Sequence, residues 1–277
     1  MKSKHIQTIL LASLAALPVV YAAAVAGSSD PPTSSGARMF VIGLSLAVLL
    51  IEVLVLAQVV RVRALFSSAD AARFTWTLIA CFLFVRIFSD IRLIVGFLNL
   101  FPTGPFNLVY FFTLSDLLFV ASLATAIRLY KSTGLKFEIK PIDYFYIAGA
   151  WAITAATVLA AYYQGRATDF SSVTGYRVVA VTVGGVILSL GLVVRRYVSQ
   201  MGGGAVARVW NCVVIASVAR DASHLASVLL PIWFPRYSFF VDTYLLWIFA
   251  WCWALAASLQ QEIIPRARAT KEHAALA

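Results

Sequence analysis

Seven runs of about 20 apolar residues, separated by short polar or basic stretches, leave this chain few folds to choose from. They lie at residues 39–60, 74–98, 106–129, 144–163, 178–194, 209–233 and 238–260. About twenty residues at 1.5 Å each cross the roughly 30 Å hydrocarbon core of a bilayer. No water is present there to satisfy an unpaired backbone group, so such segments must be helical. The apolar residues fill each run on all sides instead of forming the stripe of a surface helix. Charged residues make up only 12% of the chain, about half the share usual in a soluble domain. The expected fold is all-α: a polytopic membrane protein, with one seven-transmembrane-helix bundle over 39–260.

The ends flank this bundle. Residues 1–26 have a basic start (Lys2, Lys4), an apolar stretch from Ile6 to Val20 and small residues Ala22-Ala23-Ala24-Val25-Ala26 in an A-x-A pattern. These are the marks of a secretory signal peptide. An uncleaved extra span is the alternative reading. Residues 27–38, polar and rich in proline and serine, are expected to form a disordered extracellular tether, and residues 261–277 a cytoplasmic tail.

A net charge of +10 would point to nucleic acid in a soluble protein. Here the basic residues alternate between connections, which is topology information and implies no nucleic-acid partner. Arg61, Arg63 and Arg73 follow the first run; Lys131, Lys136 and Lys140 the third; Arg195, Arg196 and Arg208 the fifth; Arg266, Arg268 and Lys271 the last. The opposite connections carry only Arg166, Arg177 and Arg236. The excess places the amino end of the bundle outside and its carboxyl end in the cytoplasm, in a plasma or internal membrane.

Charges inside the runs are the second constraint. Arg86, Asp90 and Arg92 interrupt one, Asp116 the next, and Arg220, Asp221 and His224 the sixth; Glu52 and Asp242 lie in the first and last. An ionised group at mid-bilayer costs roughly 2.5–3.5 kcal/mol on insertion scales, so these residues need each other. Arg86 and Asp90, like Arg220 and His224, are four apart and share a helix face. Asp242 and Arg92 fall nearer the outer surface, where they are expected to pair. One reading is a structural ion-pair network. Against it, a polar contact between membrane helices contributes on average only about 0.6 kcal/mol, less than the insertion cost of one charge. The favoured reading is a buried polar site that holds a ligand.

Sliding the chain against itself aligns Trp76 with Trp210, Arg86 with Arg220, Asp90 with His224, Phe106 with Phe240 and Tyr110 with Tyr244. The second and third runs therefore match the sixth and seventh. Such a 3+1+3 repeat in one sense occurs in transporters, with the site between the halves.

Several chemistries lack their residues. Among the runs only His224 is a histidine, so neither bis-histidine haem nor a histidine-rich zinc site is expected. No lysine lies in a run to form a Schiff base. The cysteines Cys81, Cys212 and Cys252 all fall in runs, without a CxxC pair. Gly202-Gly203-Gly204 is not followed by the Lys-Ser or Lys-Thr of a phosphate loop. No cofactor, metal or catalytic motif is expected. The aromatic residues of the last run suit an interfacial belt, with part of them free to line a lipid pocket, and Gly184, Gly185 and Gly191 suit close helix packing.

With RIFSDIRL at 86–93, the outer Pro-Gly turn after it and VYFFTLSD at 109–116, the chain resembles fungal seven-helix proteins of the lipid-translocating exporter class, associated with resistance to aminocholesterol and related toxic lipids. In that class an Arg-rich polar motif in one span is followed by Tyr then Asp in the next, here Tyr110 and Asp116, or Asp242 and Tyr244. Asp90 or His224 stands where the class has a glutamate. The resemblance implies an amphipathic small molecule or lipid as partner, moved across the bilayer. Two other classes share the layout: a G-protein-coupled-receptor-like sensor with a cytoplasmic partner, and a membrane-embedded cyclase or isomerase using a buried carboxyl such as Asp116 or Glu52 as general acid. The receptor class is disfavoured by Ile127-Arg128-Leu129-Tyr130, which lacks an acid before the arginine.

Overall fold

The computed structural model describes residues 3–25, 35–97, 105–134, 140–166, 172–200, 204–234 and 237–276. Among them the chain forms eight helices and no strand: α1 (Ser3–Val25), α2 (Ser35–Ala64), α3 (Ala71–Phe97), α4 (Pro105–Ser132), α5 (Pro141–Arg166), α6 (Ser172–Gln200), α7 (Ala205–Trp233) and α8 (Ser238–Leu276). The seven apolar runs correspond to α2 through α8. Among the described residues seven helices are long and apolar enough to cross a membrane, namely α1 to α6 and α8. Helix α7, of similar length, carries Arg208, Arg220 and Asp221. This is a multi-pass integral membrane protein in contact with the bilayer.

Local chemistry sets several helix ends. Asp70 precedes α3 and its Oδ1 accepts from the Ala72 N–H at 3.4 Å, as an N-cap carboxylate does. Helix α4 closes at Gly134, whose φ of 78° is the left-handed conformation that suits glycine after a helix. At the start of α5, Pro141 takes the first helical position, where its missing N–H is no loss. The Asp143 carboxylate reaches back to accept from the Lys140 N–H at 2.8 Å, half of a capping box.

Helices α2, α3, α4, α6, α7 and α8 pack in that order into a closed ring, α8 returning to α2. Helix α5 lies outside it against α6 and α7, and α1 lies outside it against α8 and α2. Within the ring, α2-α3-α4 and α6-α7-α8 are each joined in series, and α4 meets α6 as α8 meets α2. Its interior is aromatic, with Phe82 stacked on Phe119 at 4.6 Å and Trp253 closing on both at 5.8 and 5.6 Å. Large apolar side chains such as Leu50, Leu54, Phe84, Phe88, Ile215 and Val218 face outward. Outside apolar and inside partly polar is the arrangement a lipid solvent favours.

Helix α1 runs antiparallel to α8 along most of its length. The Ser3 N–H donates to Glu262 Oε1 at 3.1 Å, Trp247 Nε1 donates to Ser13 Oγ at 2.8 Å, and the Tyr244 hydroxyl donates to the Leu14 carbonyl at 2.8 Å. Tyr21 stacks on Phe240 with ring centroids 4.1 Å apart. The beginning of α1 thus lies at the same end of the bundle as Glu262. Residues 27–34 of the tether, the turn at 98–104 and residues 202–203 and 235–236 lie outside the described residues.

Candidate functional site

The charged residues of separate helices meet inside the ring. From α3, Arg86 Nε donates to Asp90 Oδ2 at 3.0 Å, one turn further on, and stands 3.8 Å from Glu52 Oε1 of α2. From α7, Arg220 Nη2 donates to Asp116 Oδ1 of α4. One turn along α7, the Ser223 hydroxyl donates to Asp242 Oδ1 of α8. Glu52, Arg86, Asp90, Asp116, Arg220 and Asp221 are all between 0 and 5% exposed.

An aromatic ring joins the two ion-paired groups. The Phe249 ring lies 5.9 Å from the Arg86 guanidinium and 5.8 Å from that of Arg220. Arg86 also lies 5.4 Å from Phe112, and Arg220 5.6 Å from Phe82. A guanidinium is weakly hydrated and stacks on aromatic faces, so arginine tolerates this dry setting better than lysine would. Arg86 and Arg220 are two positions that coincide when the sequence is slid against itself. Arg86 is held by Asp90 of its own helix, whereas Arg220, four residues before His224, is held by Asp116 of α4.

Among the described residues, acidic groups outnumber basic ones here. Five carboxyls, those of Glu52, Asp90, Asp116, Asp221 and Asp242, surround two described guanidiniums. Several polar atoms there make no hydrogen bond: Arg220 Nε and Nη1, Asp221 Oδ1, His224 Nε2 and Ser115 Oγ. Buried polar groups usually find partners, and a half-satisfied network costs stability. A cavity of about 20 Å³ borders Asp90 and Asp242 between α2, α3 and α8, room for about one water. Among the described residues no three His, Cys, Asp or Glu side chains come together to hold a metal. Cys81, Cys212 and Cys252 are free thiols.

Of the nine residues singled out in sequence, eight contribute side chains to this region. Arg92 lies on α3, but its side chain is outside the described residues, and so is its expected pairing with Asp242. The Tyr110 side chain is likewise outside them. Among the polar contacts that were not anticipated are Ser223 with Asp242 and Arg196 with Asp143. The last joins α6 to α5 at the basic end, Arg196 Nε donating to Asp143 Oδ2 at 2.8 Å. The Pro141-x-Asp143 start of α5 was its one legible sign.

Comparison with protein-family models, curated proteins and solved structures finds no match for this chain.

Proposed function

We propose that this protein binds an amphipathic small molecule or lipid from the surrounding membrane and moves it between leaflets, with the charged cluster inside the ring as the polar part of its path. The observation that carries this reading is the acid-rich, incompletely hydrogen-bonded centre in which arginines from α3 and α7 share Phe249. Structure alone gives poor grounds for keeping such a cluster, because replacing a buried ion pair by apolar side chains is often neutral or stabilising. A path between the two halves also follows the logic of transporters built from same-sense repeats. The resemblance of RIFSDIRL and VYFFTLSD to the lipid-translocating exporter class supports the same ligand class. Arg86 and Arg220 hold the halves together; Asp116, Asp221, His224 and Asp242 offer acceptors to a polar headgroup. Helix α1 is read as a retained part of the bundle, because α8 presents two hydrogen-bond donors and a ring face to it along about two turns. The basic end of the bundle is assigned to the cytoplasm.

The test is reconstitution in vesicles with a fluorescent lipid in one leaflet. Wild-type protein is expected to carry it to the other, while Asp116→Asn, isosteric and still able to accept a hydrogen bond, slows that transfer at least tenfold without loss of folded protein. Transfer at the wild-type rate in the variant would overturn the assignment. A sensor is the second reading, favoured by the near-complete burial of the cluster, which resembles a switch more than an open passage. It predicts no transfer by the wild type and ligand-dependent binding of a cytoplasmic partner that changes at Arg195 and Arg196 weaken.

A further inference from the structure

Outside the ring, where α5 leans on α6 and α7, an apolar groove of about 400 Å³ runs from Phe145, Tyr146 and Leu192 past Gly149, Ile153, Leu188 and Val218 toward Asp221. Tyr146 and Leu192 also line a neighbouring chamber of about 240 Å³, whose other walls are Ile142, Asp143, Arg195, Arg196 and Ser199. Taken together, the two adjoining hollows form a depression that is apolar at one end and cationic at the other. Its apolar part spans residues 145 to 153 of α5, about 12 Å at 1.5 Å per residue, most of the roughly 15 Å thickness of one leaflet.

We propose that this depression is a binding site for a phospholipid with an anionic headgroup, its phosphate between Arg195 and Arg196 and one acyl chain laid along the groove. Arg196 gives one side of its guanidinium to Asp143, which fixes it at the chamber wall. Arg195 is exposed on the next position of α6. Two guanidiniums against one carboxylate leave the chamber cationic, and guanidinium forks match phosphate oxygens. The groove carries no basic residue, so it takes a chain and not a second headgroup. A second copy of this protein docking symmetrically here would oppose the same arginines to each other. A free phosphate would occupy the chamber and gain nothing from the groove. The headgroup chamber lies away from the cluster inside the ring, and the far end of the groove reaches Asp221, which belongs to both.

The glycine at 149 allows a clean test, since a Cβ there meets nothing within 4 Å. Protein purified in detergent is titrated with dioleoyl phosphatidylserine or dioleoyl phosphatidylcholine and bound lipid is counted by native mass spectrometry. Phosphatidylserine is expected to be retained about fivefold better, the preference one basic residue gives near an anionic headgroup. Arg195→Ala should remove that preference, and Gly149→Trp, which fills the groove, should reduce retention of both lipids while the melting temperature holds. Equal retention of the two lipids by the wild type, or an unchanged preference in Arg195→Ala, overturns the proposal. So does full displacement of lipid by inorganic phosphate, or loss of a dimer as the sole effect of Gly149→Trp. Because neither variant touches the ring interior, failure here leaves the leaflet-transfer experiment to be judged by itself.

Discussion

The Asp221 carboxyl of α7 occupies the space that Gly184 of α6 leaves open. Any side chain at 184 would coincide with Asp221 Oδ1, and a Cβ at the neighbouring Gly185 would come within 2.9 Å of Thr154 Oγ1 on α5. Two consecutive glycines thus let two polar side chains from two other helices approach the α6 backbone.

Gly184→Ala should therefore destabilise the protein by about 1–3 kcal/mol, the usual range for forcing extra volume into a packed core. The same change in an Asp221→Ala background should cost much less, since its obstacle is gone. Unfolding of the four variants in mixed micelles measures this coupling; additive effects would mean the two residues do not meet.

A second expectation concerns Arg220 and Asp116. Truncating either to alanine leaves a charge buried without its partner, at a cost of about 3–5 kcal/mol. Replacing both, as Arg220→Met with Asp116→Leu, should recover most of that loss. The paired variant should unfold near the wild-type midpoint yet fail in leaflet transfer, separating the structural from the functional part of the pair.

Phe249 is the ring both arginines share. Phe249→Ala should cost about 3–5 kcal/mol through the cavity left beside Phe82 and Trp253. Phe249→Leu, which keeps much of the volume but offers no aromatic face, should fold better while weakening both guanidinium contacts. If thermal unfolding ranked leucine below alanine, cavity filling would not be what the ring supplies.

Helix α1 provides a fourth. Intact-mass measurement of protein expressed in its native membrane should give a chain that still includes Ser13 and Tyr21. Trp247→Phe combined with Tyr244→Phe, which removes two side-chain donors to α1, should lower stability by about 1 kcal/mol, near twice the average for a membrane polar contact. A chain beginning after Ala24 would show instead that α8 meets lipid there.

Much of this was legible from the residues. An apolar run long enough to span a bilayer has one economical structure, so α2 to α8 follow from length alone. The meeting of Arg86, Asp90, Asp116 and Arg220 follows from the cost of leaving each alone in lipid. What sequence left open is which partner each takes, because depth along a helix is readable but rotation about its axis is not. Arg86 turns toward Glu52 as well as its own Asp90, and Asp242 takes the Ser223 hydroxyl, a contact that no charge pattern announces. The amino-terminal helix was ambiguous for another reason: a signal peptide and a short span share length and greasiness. They differ in what α8 offers them.

The antiparallel fit of α1 on α8 brings Ser3 beside Glu262, so the first and last described helices are stitched to one another. Fluorophores attached near these two positions would sit within energy-transfer range and in the same compartment. A permuted gene that joined them by a short linker and opened between α4 and α5 would exchange the order of the two halves without asking any helix to reverse direction.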